Sequence, residues 1–170
     1  FVFSVNNANF SGNSGSVLQF QLKAGSLPGN YTIQIQNAII ANNNSQNILN
    51  NTVAGDYTII APNIQIYESE LNFGSVPLTS NNQIGFTIYN TGNSVLSISN
   101  IQSNSPYFTV LSSTSFSIEP YNQAYVSVQF NAVVKGNYNK ILTITSDDPD
   151  QSVRFISLRA VAFAVNELYM

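Results

Sequence analysis

Two acidic groupings are the first places where this chain could do chemistry. Glu68 and Glu70 stand two apart in a stretch that reads as a strand. Both carboxylates would leave on one face, roughly 7 Å apart, the separation of a glycosidase pair. Such a pair needs one carboxyl desolvated and held protonated, and the neighbouring sequence offers no third group to tune it. Exposed glutamates beside a strand are the simpler expectation. Asp147, Asp148 and Asp150 form the densest acidic cluster, and hard oxygen ligands so close together could hold calcium. The string Ser146-Asp147-Asp148-Pro149-Asp150 lacks the Gly and distal Glu of an EF-hand loop, and a hairpin turn also accounts for it, because Asp and Pro favour turns for backbone reasons.

Aromatic and amide side chains are the other candidates. Most of the nine tyrosines and eleven phenylalanines fall on an inward, alternating phase, but Tyr67, Tyr89, Tyr107 and Tyr121 do not. Exposed aromatics with amides would suit sugar binding, although scattered surface tyrosines are normal. Four Asn-x-Ser/Thr sequons, at Asn9, Asn30, Asn43 and Asn50, carry no signal in a chain with 25 Asn and 22 Ser, since random placement gives about as many.

What is missing narrows the chemistry further. Histidine, cysteine and tryptophan are absent, which removes imidazole bases, thiolate nucleophiles, Cys/His zinc sites, haem and iron–sulfur ligation. No catalytic residue and no cofactor is expected, and the three aspartates are the only calcium candidate. Charged residues make up 8% of the 170 residues, against about 25% in ordinary soluble domains. The polar surface must come from neutral amides and hydroxyls. With a net charge of −3 and only Lys23, Lys135, Lys140, Arg154 and Arg159 basic, nucleic acid is not an expected partner. No apolar run approaches the ~20 residues of a membrane helix. The chain opens on Phe1 rather than Met, so a processed product or a fragment is expected, with any export signal removed upstream. This composition suits an extracellular or cell-surface location.

The elements that would position these groups are strands. Leu18, Phe20 and Leu22 alternate with Gln19 and Gln21; Tyr31, Ile33 and Ile35, then Ile84, Phe86 and Ile88, then Val126, Val128 and Phe130 repeat the pattern. Period two is the signature of a strand with one buried face, and no segment reads as a helix longer than one turn. The fold class is all-β. Ala61-Pro62-Asn63 interrupts what would otherwise be one strand from Tyr57 to Tyr67, because proline removes a ladder donor. Three parts follow: residues 1–60, with four or five strands and too little core to be complete; residues 61–163, with about seven strands, enough for an immunoglobulin-like sandwich; and a tail, 164–170. Gly29-Asn30-Tyr31, Gly55-Asp56-Tyr57 and Gly136-Asn137-Tyr138 repeat a turn glycine followed by an aromatic plug, similar in logic to a tyrosine corner.

Four motifs carry a family resemblance: Phe73-Gly74-Ser75-Val76, Asn90-Thr91-Gly92, Ile118-Glu119-Pro120 and Ser146-Asp147-Asp148-Pro149. In this order and spacing they resemble the ASH or Hydin-like immunoglobulin domains, which in bacteria occur in choice-of-anchor surface proteins. Departures from that pattern are Asn131-Ala132-Val133, where a proline-containing segment is usual, and Ala160, where glycine is usual. Residues 1–60 resemble the C-terminal half of a cohesin-like jelly roll, through the turn cluster from Ser11 to Gly15 leading into Leu18-Gln19-Phe20-Gln21-Leu22 and the stretch from Gly29 to Ala38. The resemblances imply a non-catalytic structural or adhesive module of a secreted or surface-attached bacterial protein. Its expected partners are proteins. If residues 1–60 are all there is of the first module, copies of the chain would join through sheet edges into a filament, with Val161, Phe163, Val165 and Leu168 as a donated strand; otherwise the missing half belongs to a longer gene product. The alternative is a carbohydrate- or dockerin-binding module of an extracellular polysaccharide-degrading system, which makes glycans the other expected partners.

Overall fold

In the computed structural model, residues 25–34, 36, 44, 46, 49 and 52–165 are described. The Leu18–Leu22 strand, the sequons at Asn9, Asn43 and Asn50, and the tail beyond Val165, Leu168 included, lie outside the described residues. All described secondary structure is β, as the period-two patterning requires. Strands β1 (Gly29–Ile33) and β2 (Gly55–Ile59) pair antiparallel. Tyr31 sits opposite Tyr57, and their rings stack with centroids 5.4 Å apart.

Nine further strands build a two-layer sandwich: β3 (Ile64–Gln65), β4 (Glu70–Pro77), β5 (Asn82–Asn90), β6 (Leu96–Ser103), β7 (Phe108–Val110), β8 (Phe116–Ile118), β9 (Gln123–Phe130), β10 (Gly136–Ser146) and β11 (Val153–Phe163). One sheet runs β4-β11-β10-β6-β8 and the other β3-β5-β9-β7. Against the expected seven or so, three of the nine are short, β3, β7 and β8 having two or three residues each. They lie at sheet edges, where brevity limits pairing with a stray chain. Between β3 and β4 the chain crosses from one sheet to the other, and β4 joins β11 in parallel. Val161 and Phe163, expected in a donated strand, already pair within the chain as part of β11, opposite Ser75 and Pro77.

The core is one cluster drawn from both inner faces. Phe86, Ile88, Val126, Val128 and Phe130 from one sheet meet Leu96, Ile98, Leu142, Ile144, Ile156 and Leu158 from the other, all at most 2% exposed. Each such burial stabilises by about 1.5–3 kcal/mol relative to exposure. At one end, Phe130 contacts Phe73, Phe108 and Tyr138 at centroid distances of 5.9, 4.7 and 5.1 Å. The Gly-x-Tyr repeat does equivalent work at two of its three places. The Tyr138 hydroxyl donates to the Val134 carbonyl at 2.7 Å and that of Tyr31 to Leu27 at 3.0 Å, each four residues back. Tyr57 is used instead for stacking on Tyr31.

At the sandwich end nearest residue 60 three of the four family motifs converge, through Asn90, Glu119 and Asp148. Asn90, 1% exposed, accepts from the backbone N–H of Gly92 and Asn63 at 3.0 and 3.3 Å. It donates to the carbonyls of Ser94, Ile118 and Glu119. Asn93 accepts from the Ala61 N–H at 3.0 Å and donates to the Ile59 carbonyl at 2.9 Å. Gly92 lies so close to the 61–63 backbone that a Cβ would come within 2.4 Å of the Ala61 oxygen. Proline does interrupt the strand here, since β2 ends at Ile59 and β3 starts at Ile64. The interrupted segment is nonetheless stitched to the sandwich rather than hanging free.

Candidate functional site

The acidic residues of the β10–β11 hairpin do not converge on a common point. Asp148 turns inward, 2% exposed. Its carboxylate accepts from the backbone N–H groups of Ile64 (2.6 Å), Asp150 (2.7 Å) and Gln151 (2.7 Å). Asp147 accepts from Ser97 N–H at 2.8 Å, and Asp150 accepts from the Ser26 hydroxyl. Among the described residues no group of three acidic side chains is arranged to hold a metal ion. The carboxylate oxygens of this hairpin serve N–H and hydroxyl donors and so organise the backbone around it.

Glu68 and Glu70 do not share a strand. Glu70 begins β4 and pairs with Arg159 Nε at 3.0 Å. Glu68 lies in the connection before it, with one carboxylate oxygen buried and unpartnered. The two carboxylates therefore do not form the single-face pair that a strand through both would make. Beside the Glu70–Arg159 pair, a shallow cleft of about 340 Å³ is lined by Asn72, Asn137, Asn139 and Arg159 over Ala160 and Val161. The pairing of β11 with β4 shifts register between Arg159 and Val161, at the cleft's floor. Arg159 is its only charged lining residue, so it contains no acid–base pair.

A different surface gathers the tyrosines. On the four-stranded sheet, the inward phase Phe86, Ile88, Val126 and Val128 leaves Gly85, Thr87, Tyr89, Gln123, Tyr125 and Ser127 facing outward. Tyr89 is opposite Gln123 on β9 and Gln65 on β3, and Thr87 is opposite Tyr125. Tyr67, just past β3, packs edge-on to Tyr89 with ring centroids 5.3 Å apart. The Tyr125 ring lies over Gly85, where a Cβ would come within 2.3 Å of its Cζ and hydroxyl oxygen. Glycine is needed there to let the ring lie down on the sheet. Tyr67 and Tyr125 remain 71% and 66% exposed, so the outer sides of their rings face solvent.

The four tyrosines singled out from the sequence thus separate. Tyr67 and Tyr89 come together. Tyr107 packs against the core edge and meets Tyr138 edge-on at 5.1 Å, because the turn before β7 folds it inward. Tyr121 occupies the β8–β9 turn at a φ of 61°. Tyr125 completes the outer face and was not singled out, although the phase of Val126, Val128 and Phe130 already places it outward. The same phase rule explains exposed Phe155 on β11, whose inward partners are Ile156 and Leu158. Burial together with the Tyr107 neighbour raises the pKa of Tyr138 above its ordinary value of 10.0.

Two packed layers, with antiparallel pairing throughout except for β4 alongside β11, define an immunoglobulin-like sandwich. The chain belongs to the HYDIN/CFA65/VesB-like, Ig-like domain family, whose model matches residues 62–161, more than half of the chain. Among solved structures it is similar to the ASH/PapD-like domain 7 of human CEP192, with TM-score 0.55 and 12% identity over 62% of this chain and 89% of that one. It is also similar to a Porphyromonas gingivalis protein of unknown function, with TM-score 0.52 and 11% identity over 79% of this chain and 66% of that one. A family 123 glycoside hydrolase from Clostridium perfringens matches with TM-score 0.50 and 9% identity, over 61% of this chain and 28% of that one. At these identities the likeness is one of fold. No curated protein matches the chain in sequence.

Proposed function

We propose that this chain is a non-catalytic structural or adhesive module of a secreted or surface-attached bacterial protein, which spaces and presents what is joined to it. The observation that carries this reading is how the conspicuous polar motifs are used. Asn90, Asn93 and Asp148 direct their hydrogen bonds to backbone, tying residues 59–64 to the sandwich. A module built this way holds its N-terminal attachment in a set direction instead of presenting convergent acids and bases. Low charge, 8% of residues, supports association between copies by weakening their mutual repulsion.

Assembly through sheet edges fits the β1–β2 ribbon best. A two-stranded ribbon is marginal in water by itself, so further strands are needed, from the cohesin-like remainder of residues 1–60 or from a neighbouring chain. The sandwich edges are poor places for strand addition, since β3, β7 and β8 are short and β4 ends at Pro77. Mass photometry of the purified chain tests the assembly: a concentration-dependent ladder of multiples supports it, and a monomer at all concentrations removes it. A screen for hydrolytic turnover tests the non-catalytic part, which any substrate turned over by the pure chain would end.

A further inference from the structure

We propose that the outer face of the four-stranded sheet is a binding platform for a neutral polysaccharide, with Tyr67, Tyr89 and Tyr125 as stacking surfaces and Gln65 and Gln123 as hydrogen-bonding groups between them. Three observations meet here. First, the rings present their faces: Tyr67 and Tyr125 are 71% and 66% exposed, and the Tyr125 ring is laid over Gly85. A flat, solvent-facing ring offers its negative π-face to the C–H side of a pyranose, at little entropic cost because the ring is already held.

Second, the polar groups on this face are unspent. The Gln65 and Gln123 amides flank Tyr89 across the register, and neither they nor the three tyrosine hydroxyls have a hydrogen-bond partner within the described residues. Amides that both donate and accept match sugar hydroxyls, which do the same. Third, the outward positions of β5 and β9 carry no Asp, Glu, Lys or Arg. A neutral face favours a neutral ligand over an anionic one, as does the chain's net charge of −3. A protein partner is the weaker fit. Protein interfaces centre on contiguous apolar anchors, whereas the positions between these rings are Gln65, Thr87 and Gln123. From Tyr89 to Gly85, beneath the Tyr125 ring, is four residues of strand, roughly 13 Å. That span takes several linked sugars rather than a single one.

The platform is independent of the spacer reading, because a module that only spaces its neighbours would retard in no polysaccharide gel and still orient them. Native electrophoresis through gels containing hydroxyethylcellulose, xylan or galactomannan, with heparin as the anionic comparison, is the test. We expect retardation in at least one neutral gel. Tyr67→Ala and Tyr125→Ala should each weaken it by about tenfold, and Phe155→Ala on the opposite sheet should leave it unchanged. Circular dichroism confirms folding of each variant; should Tyr125→Ala misfold, Tyr67→Ala, at a position 71% exposed, decides. No retardation in any neutral gel, retardation by heparin alone, or retardation that survives both tyrosine substitutions overturns the proposal.

Discussion

The carboxylate of Asp148 accepts the backbone N–H of Ile64 at 2.6 Å, joining the hairpin between the last two strands to the first strand of the sandwich 84 residues earlier. Together with the N–H groups of Asp150 and Gln151, this contact both closes the hairpin and anchors the sandwich's first strand.

Asp148→Ala leaves three backbone donors without their acceptor. A buried unsatisfied donor costs about 1–3 kcal/mol, and water entering at the hairpin recovers part of that. Urea unfolding should show a loss of about 2–4 kcal/mol, with Asp148→Asn losing less because one oxygen remains. Calcium should leave the wild-type melting temperature unchanged, since a ligand stabilises only by binding the native state. A rise of several degrees with calcium would contradict this assignment of the aspartates.

Gly92→Ala should separate residues 59–63 from the sandwich. Its Cβ would meet the Ala61 oxygen at 2.4 Å, the Asn63 nitrogen at 2.6 Å and the Pro62 carbonyl carbon at 2.7 Å. All three are backbone atoms, which cannot swing aside as a side-chain tip would. Overpacking of this kind costs about 1–3 kcal/mol. Limited proteolysis should show faster cleavage near Ile60, and Asn93→Ala should have the same effect more weakly by removing its bonds to Ile59 and Ala61.

Phe130→Ala should cost about 3–5 kcal/mol, the usual range for a buried aromatic ring. Phe130 is 0% exposed and faces Phe73, Phe108 and Tyr138. Tyr67→Ala, by contrast, should change stability by less than about 1 kcal/mol, as exposed positions do. Denaturant melts of the two variants side by side check both the core and the surface assignment.

Alkaline pH should act through Tyr138. Burial, with the Tyr107 neighbour adding to it, raises its pKa above 10.0, so the folded state holds the phenolic proton more tightly than the unfolded chain. Its contribution is fully present below the unfolded value and is lost as pH rises through the folded one. The melting temperature should be insensitive to this group between pH 7 and 9, as expected for a phenol of ordinary pKa about 10, and should fall above that. Tyr138→Phe has no proton to lose. It should flatten part of that alkaline fall while lowering stability at neutral pH by the lost bond to Val134, about 0.5–1.5 kcal/mol.

Alternation by itself determined the all-β class, the inward phases of β5 and β9, and through them the outward direction of Tyr89 and Tyr125. Three of the four family motifs, those at Asn90, Ile118 and Ser146, in turn marked the turns between strands, whereas Phe73-Gly74-Ser75-Val76 lies within β4. These are local properties: a side chain's face follows from its parity along the strand, and a turn from its Asn, Gly or Pro. What the aspartates serve was decided only in three dimensions, because the donor that Asp148 needs lies at Ile64, on a strand that no local pattern brings near. The split among Tyr67, Tyr89 and Tyr107 was decided there as well. Ring contacts depend on cross-strand register and on a glycine in the neighbouring strand, and both are set by how two distant segments pair.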